Sequence, residues 1–371
     1  MKIGIVADDF TGANDVALQL IKYGIRVKSF VDVDEIEGNF IYTTETRNST
    51  EKEARKKLEE FFLKIKEQKI DKVYKKIDST LRGNIKTEIE VFLENIEKNE
   101  KIAVIVSFPR TERIVKNGKL YVKGELLENT DFARDPYWTL TSSDVLNYFP
   151  GKLINLQEIR GKNFYESLKK HEENLLVFEA ETEKDLELIA EKLVKSGYDK
   201  YITASSGIME QLLNCWGYKK EKMLLVAGSC NPTNIKQIAD FIEEFEPTVY
   251  DYYIDENRVD FIEGNEEVLI LRTIRDHKKS QKTREELNSL ISNLIKKIVD
   301  ENEIKKVALS GGDISLSFMD KFSLKNIEIL SEIEPGIAFG IAKEFKIITK
   351  PGGFGGEKIY KNIYSFFKTY R

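Results

Sequence analysis

Ile3 to Asp15 read IGIVADDFTGAND, and this stretch decides the fold. The apolar residues Ile3, Ile5 and Val6 predict a buried strand ending on two adjacent carboxylates, Asp8 and Asp9. Thr11, Gly12 and an adjacent Asn14-Asp15 pair follow where a helix has to begin. A buried strand that delivers acidic groups to a strand-to-helix turn puts them at the carboxyl edge of a sheet, where open α/β folds bind ligands. Asp and Thr are also favoured as helix caps, so Asp8 and Asp9 taken alone read equally well as turn and N-cap residues. A second cluster of the same kind, KKIDSTLRGN at 75–84, shifts that balance.

Strands and amphipathic helices alternate along most of the chain. The pattern predicts an α/β fold of two domains, each with a largely parallel sheet flanked by helices. Ala54, Leu58, Phe62 and Ile65 share one helical face, and Ile85, Ile89, Phe92 and Ile96 another. KVYKKI (72–77) and IAVIVSF (102–108) read as strands, and NGKLYVKG (117–124) as one side of a hairpin in a β-rich insertion. LLVFEA, YITASS and MLLVAGS supply three more strand endings. Further on, Ile235, Ile238, Ile242 and Phe245 form a helical stripe, as do Leu287, Leu290, Ile291, Leu294 and Ile298. Lys- and Glu-rich patches such as 51–60 read as solvated helix faces. No Pro/Gly/Ser-rich linker interrupts the chain; the expected boundary lies near Lys220–Met223, giving domains 1–222 and 223–371.

The 371 residues suffice for two domains, and 41% hydrophobic content with 21 Phe and 16 Tyr argues against disorder. The 58 basic and 63 acidic side chains nearly cancel to a net charge of −5, which excludes a broad nucleic-acid footprint. Cys215 and Cys230 have no Cys or His at metal-ligand spacing and read as small packing residues. His171 and His277, the two histidines, lie in charged stretches and read as surface residues, which argues against His-based catalysis or a His-rich metal site. No secretory segment precedes the first strand and no apolar run approaches bilayer length, so a cytoplasmic location without membrane contact is expected.

The first half carries the acidic strand ends, Asp8–Asp9 and Asp78, with Ser79, Thr80 and Arg82 crowding the second. Carboxylates and hydroxyls can hydrogen-bond sugar hydroxyls, and a guanidinium can grip a carboxylate with two prongs. Together they suggest a pocket for a small polyhydroxy acid, to which FPRTER (108–113) could add a cation. The second half carries three glycine-rich turns: AGSCNPTN (227–234), LSGGDISL (309–316) and TKPGGFGGEK (349–358). Glycine lets backbone approach a ligand closely, and free amides at such turns bind phosphate. Three of them in one half favour a nucleotide site. Neither a GxxxxGK[ST] loop nor a GxGxxG fingerprint is present, and Asp8-Asp9-Phe10-Thr11 lacks the Asp-x-Asp of an aspartyl-phosphate hydrolase.

Taken together these segments resemble the four-carbon acid sugar kinase family, along nearly the whole chain and in the same order. The resemblance rests on Val6–Asp15, KIDSTLRGN, NGKLYVKG with Asp135-Pro136 behind it, EAETEKDL, ASSGIMEQL, GSCNPT, SGGDIS, EPG and TKPGGFG. It implies an N-terminal sugar-acid domain, a C-terminal nucleotide domain, and transfer of the ATP γ-phosphoryl group to a terminal hydroxyl of threonate, erythronate or 3-oxo-tetronate. It also implies a substrate site of Asp8, Asp9, Thr11, Asp78, Ser79, Thr80, Arg82 and Arg113, with Arg82 toward the substrate carboxylate. Ser229, Gly311, Gly312, Asp313, Ser315, Gly352, Gly353 and Gly355 would surround the nucleotide. Asp9, Asp78 and Asp313 are the candidate general bases, and Mg²⁺ is expected with ATP, its protein ligands unassigned. Partners are then a sugar acid and ATP, and a homo-oligomer is compatible with the plan. The chain departs from the family pattern at Ile314 (usually Thr), Asn231 (usually Ser) and Glu112 (usually Gly before Arg113). These departures leave an alternative open: a sugar-acid and nucleotide sensor that has lost transfer chemistry.

Overall fold

The strand at the start of the chain runs from Ile3 to Ala7 and is buried along its whole length. Ile3, Ile5 and Ala7 join the apolar cluster on one face of the sheet, while Val6 joins the cluster on the other. This is the alternation of a strand covered on both sides. The structure, a computed structural model, describes residues 1–134, 138, 140, 142–229, 231–274 and 283–369. Asp135, Pro136, Cys230 and His277 lie outside the described residues.

Met1–Lys219 and Lys220–Arg371 are two compact units. The sheet of the first has eight strands, ordered Lys28–Phe30, Phe40–Thr43, Ile3–Ala7, Lys72–Lys76, Tyr201–Ala204, Ile102–Ile105, Leu175–Phe178, Lys152–Ile154. All its pairings are parallel. Helices Phe10–Ile21, Glu183–Ser196 and Met209–Cys215 cover the face of Ile3 and Ile5. Helices Glu51–Gln68 and Ile85–Asn95 cover the face of Val6. The chain therefore leaves Ile3–Ala7 toward one face, and leaves both its neighbours, Phe40–Thr43 and Lys72–Lys76, toward the other. Such divergence at adjacent strand ends opens a crevice at the carboxyl edge. A small antiparallel sheet, Arg113–Lys116, Lys119–Val122 and Glu125–Leu126, forms the insertion.

The second unit also has an eight-stranded sheet, with Pro247–Tyr253, Asn265–Ile274, Met223–Ala227, Lys306–Ser310 and Phe345–Lys350 parallel at its centre. Antiparallel strands Arg258–Ile262 on one side and Ile337–Ala342 with Glu328–Glu334 on the other complete it. Helix Pro232–Phe245 corrects one expectation. Ile235 is 51% exposed, and the inward positions of that first turn and the next belong to Asn234 and Gln237, both buried, ahead of Ile238 and Phe241. The predicted strand 102–108 is shorter, ending at Ile105, and Ile96 falls just past its helix. Cys215 is half-buried against the apolar cluster, and His171 is partly buried with Nε2 2.8 Å from Glu158 Oε1. Among the described residues no helix is long and apolar enough to cross a membrane.

Candidate active site

The crevice of the first unit is organised by a residue that sequence reasoning passed over. Arg47, in the segment between Phe40–Thr43 and the helix that starts at Glu51, donates from Nε to Asp8 Oδ2 (2.8 Å) and from Nη2 to Asp8 Oδ1 (3.1 Å). Its Nη1 donates to Asp9 Oδ2 at 2.7 Å, and Nη2 lies 3.9 Å from Asp78 Oδ1. One guanidinium thus gathers carboxylates from two neighbouring strand ends. The register explains why: Ala7 lies opposite Thr43, and the Thr46 and Arg47 amides both donate to the Asp8 carbonyl. The sequence signal was faint, an arginine four residues beyond a short apolar strand.

Asp9 is the N-cap of helix Phe10–Ile21, its Oδ1 accepting from the Gly12 amide at 2.7 Å and its Oδ2 from the Thr11 hydroxyl at 2.7 Å. The capping role and a place in the charged cluster coexist on two different oxygens. Asp78 accepts from Thr80 Oγ1 (2.5 Å) and from Arg82 Nε (2.8 Å) and Nη2 (3.3 Å). Burial pushes the Asp78 carboxyl up, but the Arg82 bond, the Arg47 charge and the Thr80 hydroxyl outweigh it and hold it down at about 2. Ser79 is half-buried on the same turn. Gly83 follows with φ +105°, and a Cβ there would stand 3.3 Å from Asp8 Oδ2, so a side chain at this position is both strained and crowded. Beneath the cluster, Lys76 is 4% exposed and donates to the Ile77 carbonyl at 2.9 Å. Burial lowers its ammonium pKa more than Asp8, Asp15 and Asp78 raise it.

A cavity of about 330 Å³ is lined by Asp8, Asp9, Glu45, Arg47, Asn48, Arg82 and Trp138. A second, of about 420 Å³, shares Trp138 and lies by the start of helix Ile85–Asn95. Trp138 donates from Nε1 to Asn48 Oδ1 at 2.7 Å. Arg113 lines neither cavity: Nη1 donates to the Thr111 carbonyl at 2.9 Å, and the guanidinium stands 5.7 Å from the Phe132 ring centroid. Glu112 before it adopts φ +55°, the left-handed region that glycine prefers. Arg110 of the same segment binds Glu210.

In the second unit the three glycine turns meet at Asn234. Its Oδ1 accepts from Ser310 Oγ (2.8 Å), Lys350 Nζ (3.0 Å) and Tyr360 OH (2.7 Å), and its Nδ2 donates to the Ser229 carbonyl at 3.1 Å. Lys350 also donates to the Gly352 carbonyl at 2.9 Å, and the Gly311 amide to the Lys350 carbonyl at 2.9 Å. Burial lowers the Lys350 ammonium to about 8, against a smaller upward pull from Glu334. Gly352 packs so closely on Ser229 that a Cβ would lie 2.1 Å from Ser229 Oγ; Gly353 lies beside Asn231. Gly312 and Asp313 open helix Gly312–Lys321, whose Ser315 hydroxyl donates to the Gly311 carbonyl at 2.9 Å. The Gly355 carbonyl accepts from Gln237 Nε2 at 2.8 Å. Two departures from the family pattern are absorbed locally. Asn231 caps helix Pro232–Phe245, accepting from the Thr233 amide at 2.9 Å, and Ile314 is buried against Gly228. Among the described residues no group of three or more His, Cys, Asp or Glu is placed to hold a metal ion.

Comparison with known proteins assigns each unit. Residues 3–212 match a family described as a sugar-binding N-terminal domain, and residues 224–359 one described as a nucleotide-binding C-terminal domain. The chain is 27% identical to D-threonate kinase of Salmonella typhimurium, covering 96% of each. It is 25% identical to D-erythronate kinase of Heliobacterium modesticaldum, covering 95% of this chain and 93% of the relative. Its fold is that of a Bordetella bronchiseptica protein solved with bound citrate as a domain-swapped dimer, with a TM-score of 0.63, 20% identity and full coverage of both chains.

Proposed function

We infer the reaction from one premise: the chain belongs to the four-carbon acid sugar kinase family, which joins a sugar-binding N-terminal domain to a nucleotide-binding C-terminal domain. On that premise it transfers the γ-phosphoryl group of ATP to the terminal hydroxyl of threonate, erythronate or 3-oxo-tetronate. The observation that supports this most directly is the convergence of Asp8, Asp9 and Asp78 on Arg47 at the open edge of the first sheet. Opposed charges held in fixed geometry suit an acceptor that is both polyhydroxylated and anionic.

In this reading Asp9 is the general base. The Asp8 side chain is only 3% exposed, with Arg47 on both its oxygens, and Asp78, at about 2, is a weak base near neutral pH. Asp9 lines the cavity and keeps 19% of its side chain exposed, so it accepts the proton of the attacking hydroxyl. Asp78, Thr80, Ser79 and Arg82 orient the acceptor, and Thr11 with Arg47 fixes the Asp9 carboxylate. In the second unit the start of helix Gly312–Lys321, with Ser229, Asp313, Ser315, Gly352, Gly353 and Gly355, frames the phosphates of ATP, the amides supplying positive ends of dipoles. Mg²⁺ bound with ATP would supply charge neutralisation of the transferring phosphoryl group.

A coupled ADP-formation assay over a panel of four-carbon acids tests the reading. Acid-dependent ADP release with at least one of the three is the expected result. Acids that bind without accelerating ATP turnover would leave a sensor and remove the kinase.

A further inference from the structure

We propose that the 420 Å³ cavity beside Trp138 receives the carboxylate end of the acceptor acid; this rests on the sugar-acid reading above. Its floor is the start of helix Ile85–Asn95. Asn84 at the N-cap makes no side-chain cap; its Nδ2 is turned away to the Thr46 and Ser49 carbonyls at 2.8 and 2.9 Å. The turn that lines the cavity therefore carries first-turn helical amides without the usual carboxamide or hydroxyl acceptor, and such amides favour an oxyanion.

Side chains point to the same ligand independently. Thr87 lines the cavity and is only 8% exposed, yet its hydroxyl makes no hydrogen bond to the described residues. That hydroxyl is not sealed off among protein atoms, so it is available as a donor to an acceptor in the cavity. Lys86, on the same turn, also lines the cavity and makes no ion pair with the described residues, and Ser142, Asn147 and Tyr148 add polar groups to the lining. Among the described residues Glu51 is the one acidic lining residue.

The alternative receptor for the carboxylate is Arg82, but its Nε and Nη2 are already bonded to Asp78. The two cavities adjoin: they share Trp138, and the turn between them sends Arg82 into one and Gly83 into the other. An acid lying across the turn presents hydroxyls to Asp9 and its carboxylate to Lys86, Thr87 and the helix amides.

Calorimetric titration of the full chain with threonate and erythronate, and with the uncharged polyols threitol and erythritol, tests this without requiring turnover. Lys86→Met and Thr87→Val should each weaken acid binding about tenfold or more, the worth of a charge-assisted hydrogen bond. Polyol binding should stay unchanged, and Lys86→Arg should restore acid binding. Equal loss for acid and polyol, or no loss for either, overturns the proposal. Carboxylate-selective loss in a protein that forms no ADP would sustain this site while removing the kinase reading. ADP formation with variants that bind acid as the parent does would do the reverse.

Discussion

The two candidate sites are built on opposite principles. In the first unit, ion pairs hold the geometry: Arg47 against Asp8 and Asp9, Arg82 against Asp78. In the second, backbone turns hold it, and one neutral amide, Asn234, ties the turns together. A small anionic, hydroxylated acceptor needs directional side chains. A nucleotide phosphate is served by amides that carry no net charge and so leave room for the charge the ligand brings. The first site should therefore be fragile to loss of charge and to acid, and the second to loss of a hydrogen-bond hub.

The largest expected effect is on Arg47. Arg47→Met leaves Asp8, 2% exposed, as a buried charge without its partner, a lesion of about 3–5 kcal/mol. Denaturant unfolding should register it, and acid-dependent turnover should vanish. Arg47→Lys should recover only part of either, because an ammonium lacks the planar fork that grips both Asp8 oxygens while also reaching Asp9. A variant as stable as the parent would show that the clamp does not organise the first unit.

Next comes Asp9. Asp9→Asn keeps the cap, since Asn is an equally good N-cap, but removes the base. Turnover should fall about 10²–10⁴-fold with little change in melting temperature. A fall in stability without a fall in turnover would reverse the assignment.

Asn234 offers the matching test of the second unit. Asn234→Ala leaves Ser310, Lys350 and Tyr360 without their shared acceptor, a cost of about 1–3 kcal/mol. Nucleotide affinity should drop while acid binding, measured by titration, holds. Loss of acid binding alone would contradict the division of labour.

The smallest effect is a pH dependence. The folded Asp78 carboxyl, at about 2, lies below its ordinary value of about 3.9. Its contribution to stability is thus fully present above about pH 4 and lost as pH falls toward 2. Urea midpoints followed from pH 5 to 2 should fall more steeply for the parent than for Asp78→Asn. Parallel curves would show that Asp78 is not so held.

What the sequence disclosed follows the same contrast. Asp8, Asp9 and Asp78 were legible because an apolar strand stops on each of them. The glycine turns were legible because each follows such a strand. Arg47 was not, since it sits in the polar run TTETRNST and acquires meaning only through the parallel register that sets Thr43 beside Ala7. In the sequence Asn234 reads as part of a turn, whereas it takes an inward helix position that an apolar residue would ordinarily fill. Ile235 matches the apolar period of the buried stripe yet is exposed. Periodicity finds the face, but polar residues on that face are seen only once the strands behind them are in place.

One measurement bears most directly on the central claim. ³¹P NMR of the protein with Mg·ATP and each of threonate, erythronate and 3-oxo-tetronate should show, for at least one acid, a new phosphomonoester coupled to the terminal methylene protons and growing in step with ADP. ADP accompanied only by inorganic phosphate, or ATP left intact with every acid, would contradict it.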